Sequence, residues 1–217
     1  MTRERFIALK QMELFEELSN EEIEAIAPYF HKRTYARNEV VYSLTNHARH
    51  LLFLNTGKIK IYRLSELGKE QIIRLIEPHE FTGELAIFEG IRKAYATALE
   101  PSIVYTIEHE QFKEILKLNS KISLKMIQIL ALRLHLSEEQ TSHLSTNTAK
   151  ERLWIHLNKK AQWVNGKLIV HHTETKRFIA SYLGMSSETL SRVLHQLEEE
   201  HRVKRISDHY LEIIPDI

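Results

Sequence analysis

The stretch TETKRFIASYLGMSSETLSRVLHQLEEEHRVKR, residues 173–205, admits few folds. Phe178, Ile179, Tyr182 and Leu183 fall on one apolar stripe of a first helix, and Leu190, Val193, Leu194 and Leu197 on one stripe of a second. Between them Gly184 offers a turn with no side chain where two helices meet steeply, and Ser186 stands where the second helix needs an N-cap. The other face of the second helix presents Ser187, Glu188, Ser191, Arg192 and His195 near its start, with Thr189 in the same first turn. An arginine there pairs bidentately with guanine O6 and N7, and a glutamate accepts from cytosine N4. Hydroxyls and helix N-terminal amides suit phosphate. Glu188 and Arg192 stand four residues apart, so the carboxylate is spaced to orient the guanidinium. Val203–Ile206, a turn at 207–209 and Tyr210–Ile214 then read as a β-hairpin. A hairpin in that place makes a winged helix, with Lys204 and Arg205 placed for phosphates. Double-stranded DNA is the partner this pattern predicts.

Upstream, the hydrophobic period changes twice. Residues 3–31 read as short helices, with Ser19 capping the second. From about residue 33, short β-like runs follow at 39–42, 50–54, 58–62, 71–76, 95–99 and 103–107, with turn signals at Asn55–Gly57 and Leu67–Lys69. Many short strands at even spacing predict an antiparallel sandwich, jelly roll or barrel. Glu110–Leu118 then reads as a helix and Ser120–Leu144 as a longer one. In the latter, Ile122, Met126, Ile129, Arg133, Leu136 and Gln140 make one stripe, and Ile127, Leu130 and Leu134 a second. One stripe is expected against the sheet and the other against a second copy of the chain, because the pattern runs about 35 Å, further than a small sandwich covers. Ser145–Thr148 breaks the pattern and reads as a hinge; Ala149–Trp163 is expected to be helical, and Trp163–Val170 a hairpin with an Asn-Gly turn. The expected division is therefore a sensor domain at 1–119, a dimerisation helix and hinge at 120–147, and a DNA-binding domain at 148–217.

Composition removes whole classes of chemistry. Among the 217 residues there is no cysteine, which excludes disulfides, thiolate zinc sites, cysteine nucleophiles and cysteine-ligated iron–sulfur clusters. No apolar run reaches the length of a membrane span and no secretory signal is legible, so the cytoplasm is the expected location. The net charge of +1 says nothing about nucleic acid. No metal-binding His-x-His with a downstream carboxylate, no G-x-S-x-G and no phosphate-binding loop motif is present, so an enzyme is not expected.

FTGELAIFEGIRKAYAT, residues 81–97, is the odd segment: glycines and charges interrupt what otherwise reads as packed strand. Taken with Gly184–Leu194 and the order of elements, Gly83–Phe88 makes the chain resemble the Crp/Fnr family of bacterial transcription regulators over nearly its whole length. The resemblance implies an α+β protein: a cyclic-nucleotide-binding-like β jelly-roll sensor, a long dimerisation helix and a C-terminal winged helix-turn-helix. It also implies a homodimer on a palindromic site, with base reading at Ser187, Glu188, Ser191 and Arg192. Glu188, Ser191 and Arg192 look more like the Fnr branch than the Crp branch, so half-sites containing TGA, closer to TTGA than GTGA, are expected. RNA polymerase is a candidate partner with no surface assigned to it.

The same resemblance places an effector at Gly83, Glu84 and Leu85, at Arg92 and Lys93, and at Arg133 and Ser137 of the long helix. Cyclic AMP binders carry an arginine–serine pair for the cyclic phosphate; here it has become Arg92–Lys93. Arg92, Lys93 and free amides near Gly83 would still suit an anion, unless Glu84 pairs with Arg92 or Lys93 and the pocket is vestigial. No cofactor is assigned: the ligand classes left open are a cyclic nucleotide, another small effector, haem on a lone histidine such as His79, or none. Of the 13 histidines, His47/His50 and His171/His172 lie closest together, and neither pair has a third metal ligand at suitable spacing. The rival function is an effector-binding module that reads no DNA.

Overall fold

The structure is a computed structural model that describes residues 3–44, 48–66, 68, 70–172, 174–207 and 209–214, with the backbone alone at 86 and 139–146. The turn residues Leu67 and Lys69, His47, Asp208 and the side chains of Gln140 and Ser145 lie outside the described residues. The chain divides into two compact units, Met1–Leu134 and His135–Ile217. Among the described residues, no helix is long and apolar enough to cross a membrane.

In the first unit, α1 (Arg3–Lys10) and α2 (Asn20–Ile26) precede eight strands: β1 (His31–Tyr35), β2 (Val40–Tyr42), β3 (His50–Thr56), β4 (Ile59–Leu64), β5 (Glu70–Ile76), β6 (Phe81–Thr82), β7 (Tyr95–Ala98) and β8 (Ser102–Glu108). A one-turn helix α3 (Ala86–Glu89) separates β6 from β7, and α4 (His109–Leu118) and α5 (Ser120–Thr146) follow β8. Ser19 caps α2 through a capping box: its hydroxyl accepts from the Glu22 amide while the Glu22 carboxylate accepts from the Ser19 amide.

The strands form two antiparallel sheets, β1-β8-β3-β6 and β2-β7-β4-β5, the sandwich that the short, evenly spaced runs predict. Leu52, Leu54 and Val104 of one sheet share a buried cluster with Tyr42, Ile59, Ile61 and Ala96 of the other. The alternate residues Leu51, Phe53 and Ile107 bury in a second cluster with Phe15, Phe30, Phe112, Ile122 and Met126. The Phe53 ring lies 5.3 Å from Phe15 and 5.4 Å from Phe30. β3 is therefore buried on both faces, which is why its sequence reads as a continuous apolar run rather than an alternation.

The second unit holds α6 (Ala149–Lys160), β9 (Gln162–Val164), β10 (Lys167–His171), α7 (Lys176–Tyr182), α8 (Ser187–Glu199), β11 (Val203–Arg205) and β12 (Tyr210–Ile213). Its sheet runs β11-β12-β10-β9. Leu153 and Leu157 of α6, Ile179 of α7, Leu190, Val193 and Leu197 of α8, and Leu211 of the hairpin bury together.

Four local expectations change. The 81–97 segment is not a packed strand: Gly83 (φ +93°) and Gly90 (φ +66°) turn the chain, so a two-residue strand gives way to α3 before β7 begins. The helix expected to reach Trp163 ends at Lys160, because residues 162–164 are needed to pair with β10. Strand β1 was not expected: it pairs along its length with β8 but keeps mostly exposed polar side chains, so no apolar alternation marks it. α5 continues to Thr146, leaving only Asn147 between it and Thr148, the N-cap of α6.

Candidate nucleic-acid interface and effector site

The local chemistry of the turn fixes where α8 begins. Gly184 takes φ +63°, a left-handed conformation that favours glycine. The Ser186 hydroxyl accepts from the Thr189 amide at 3.1 Å and lies 3.1 Å from the Thr189 hydroxyl. Thr189, counted with the exposed face on sequence, is thus half-buried and engaged in the cap. The burial of Leu190, Val193 and Leu197 then leaves Glu188, Ser191, Arg192 and His195 exposed, with Ser187 half-buried beside them. Arg192 makes no hydrogen bond or ion pair among the described residues, so the expected pairing with Glu188 is not formed. Its guanidinium fork is open to an acceptor.

The hairpin is the wing. Lys204 and Arg205 are exposed on β11, and the Arg205 Nε–H donates to Glu198 at 3.1 Å, tying the wing to the last turn of α8. Sequence reasoning overlooked Arg152 of α6. Its Nε–H donates to the Leu183 carbonyl at 2.9 Å and its Nη1–H to the Asn147 carbonyl at 2.8 Å. Arg152 is one of four cationic residues in α6, with Lys150, Lys159 and Lys160, so residue type alone did not single it out.

In the first unit, the structure brings Gly83, Glu84, Arg92 and Arg133 together and adds Arg74 of β5. Glu84 does not pair with Arg92 or Lys93. Its Oε1 lies 3.5 Å from Arg133 Nη1 and 3.9 Å from Arg74 Nη1. The same two guanidinia donate to one carbonyl, that of Phe81, at 2.8 Å from Arg74 and 3.2 Å from Arg133. Arg133 also lies over the Phe81 ring, 4.3 Å from its centroid. Burial first, and the neighbouring Arg74 charge second, lower the proton affinity of Arg133, while Glu84, Glu80 and Glu13 oppose the shift.

Arg92 is directed elsewhere. It donates to the His50 carbonyl at 2.6 Å, lies over the Tyr42 ring at 4.3 Å, and occupies the space beside Gly83, where an added Cβ would stand 2.5 Å from its Nη1. Lys93 faces Glu89 at 2.7 Å on the exposed side. As arranged, these two cations do not converge on a common anion, which a cyclic phosphate would require. Leu85 is exposed, and Ser137 lies further along α5, beyond the division after Leu134. A lone arginine in the apolar run Gln71–Ile76 was the signal for Arg74.

Of the histidines singled out on sequence, His79 adopts φ +74° in the turn before β6, with its amide donating to Leu54 and its carbonyl accepting from Glu13. His171 stacks on Tyr210 with centroids 4.5 Å apart. Among the described residues, no group of three or more His, Cys, Asp or Glu is placed to hold a metal ion.

Comparison with known proteins agrees with both halves. A model of the cyclic nucleotide-binding domain matches residues 32–119, and one of the Crp-like helix-turn-helix domain matches residues 151–216. The chain is 30% identical over 193 residues to the probable transcriptional regulator flp of Lacticaseibacillus casei, covering 88% of this chain and 87% of the relative. It is 29% identical over 198 residues to the cyclic AMP receptor protein of Thermus thermophilus, covering 90% of each. The solved structure of a CooA mutant from Carboxydothermus hydrogenoformans superposes with a TM-score of 0.77 at 19% identity, covering 94% of this chain and 90% of the other, and shares the fold.

Proposed function

The chain belongs to the Crp/Fnr family of transcription regulators, and from that premise we propose that it is a homodimer that reads a palindromic DNA site and is switched by a small effector in its sensor unit. The observation that carries the reading is the face of α8. A helix capped by Ser186 and buried along its apolar stripe presents Arg192, without a hydrogen bond or ion pair among the described residues, on one face with Glu188, Ser191 and Ser187. Arg192 reads guanine in a half-site containing TGA, Glu188 accepts from cytosine N4, and Ser187 and Ser191 fix register through hydroxyls. Lys204 and Arg205 of the wing neutralise phosphates.

The second stripe of α5 supports the dimer. Its Ile127 and Leu134, and Leu124 beside them, are 62%, 61% and 66% exposed, while Leu130, expected on the same stripe, packs with Ile122, Met126 and Ile129 against the core of the first unit. An exposed apolar stripe along a helix calls for a partner. Two copies would set two α8 helices against successive major grooves, about 34–36 Å apart. An effector acts by favouring one arrangement of the two recognition helices. RNA polymerase is the further partner that a regulator of this kind addresses.

Selection of bound fragments from a random-sequence DNA pool, followed by footprinting, tests the reading. The expected result is two-fold symmetric protection over TGA-containing half-sites. Recovery of no sequence preference would leave the effector-binding module as the function.

A further inference from the structure

Three polar atoms that are buried without a hydrogen-bond partner meet at one place in the sensor unit: Arg74 Nε, Arg133 Nη1 and Glu84 Oε2. Such atoms carry a desolvation cost until a partner reaches them. Around them two guanidinia share a single carbonyl, that of Phe81, and a single carboxylate oxygen, Glu84 Oε1. Neither Arg–Glu contact, at 3.5 and 3.9 Å, forms a hydrogen bond, so Glu84 holds the two arginines by charge alone. The other carboxylates facing Arg133 are Glu80, which accepts from the Glu77 amide at 2.9 Å, and Glu13.

We propose that Arg74 and Arg133 are the anion-binding pair of the effector site, and that the effector is a small hydroxylated or aminated anion. Its carboxylate or phosphate group takes the open N–H groups of the two arginines, and its hydroxyl or ammonium donates to Glu84 Oε2. Every unpartnered atom of the cluster is then satisfied by one molecule. This rests on the reading that the sensor unit takes an effector. It differs from the cyclic-nucleotide arrangement in the position of the anion: Arg92 is committed to the His50 carbonyl and the Tyr42 ring and fills the space beside Gly83, and Lys93 is committed to Glu89. Arg133 sits on α5, so an anion that draws it in acts directly on the helix whose exposed stripe is assigned to the dimer.

The test is calorimetric titration of the full-length protein at fixed ionic strength with a phosphate arm (inorganic phosphate, glycerol 3-phosphate), a carboxylate arm (lactate, malate, glutamate) and cyclic AMP. Operator affinity is measured in parallel by fluorescence anisotropy. The expected result is binding in one of the first two arms, weakened at least tenfold by Arg74→Gln and less than threefold by Arg92→Gln. Arg74→Lys keeps the charge without the fork and should bind at an intermediate level. Operator binding without effector by each variant verifies its fold. The proposal is overturned if neither anion arm binds, if cyclic AMP alone binds and Arg74→Gln leaves its affinity unchanged, or if Arg92→Gln abolishes anion binding while Arg74→Gln does not. Anion binding that depends on Arg74 but leaves operator affinity unmoved upholds the site and sinks only the switch. An operator response to cyclic AMP with no anion binding sinks the site and upholds the switch.

Discussion

Arg152 of α6 donates its Nε–H to the carbonyl of Leu183, 31 residues away, at 2.9 Å. The turn between the two DNA-binding helices is thus fastened from outside. The same guanidinium reaches the carbonyl of Asn147, the residue between α5 and α6. One side chain therefore ties the segment expected to be a hinge to the turn that aims α8.

Arg152→Met should leave both carbonyls without that donor and cost about 1–3 kcal/mol. The second unit would melt several degrees lower, and operator affinity would fall with it. Arg152→Lys should recover less than half of the loss, because one ammonium does not span both acceptors with a planar fork. Melting of Arg152→Met at the parental temperature would show the contact to be idle.

Acid should weaken the second unit. His156 of α6 is buried with its Nε2 unpartnered, and burial holds its pKa down to about 4 from the ordinary 6.5, with Lys160 and His172 pushing the same way and Glu174 against. Between those two values the unfolded chain binds a proton that the folded unit refuses. Stability is therefore full above pH 6.5 and falls as pH drops toward 4, by up to about 3 kcal/mol. Melting of the second unit at pH 7.5 and pH 5 measures the drop, and His156→Phe should flatten it. An equally steep fall in His156→Phe assigns the effect to other groups.

Ile127→Glu and Leu134→Glu place a charge on the exposed stripe of α5. Each should shift the mass measured by light scattering from two copies to one, without unfolding the protein, since neither side chain is buried within its unit. Operator affinity should drop at least a hundredfold with loss of the second half-site. A parental mass for both variants would move the dimer contact elsewhere.

Much of this was legible in the sequence where local chemistry decides the structure. The short, evenly spaced strands, the Ser19 and Ser186 caps, the Asn165–Gly166 turn and the buried stripe of α8 each follow from neighbouring residues, and each takes its expected form. What was not legible depends on partners distant in sequence. Strand β1 is held by pairing with β8, across some 70 residues of chain, and its own side chains carry no signal. Arg74, Glu84 and Arg133 come from a strand, a turn and a helix, and only folding shows that Glu84 meets Arg74 and Arg133 rather than the nearer Arg92 and Lys93. Arg152 was missed for the same reason: a backbone carbonyl as partner leaves no trace in residue type.

Base reading by Arg192 is the central claim, and a specificity ratio tests it most directly. Fluorescence anisotropy would compare parent and Arg192→Ala on a palindrome with two TTGA half-sites and on one with the guanine of each half-site replaced. The parent should lose about 1–3 kcal/mol per half-site on the replaced DNA. Arg192→Ala should bind both duplexes with similar, weaker affinity and an unchanged salt slope for its remaining phosphate contacts. If Arg192→Ala still prefers the TTGA palindrome by the parental ratio, α8 does not read that base through Arg192, and the account of this helix is wrong.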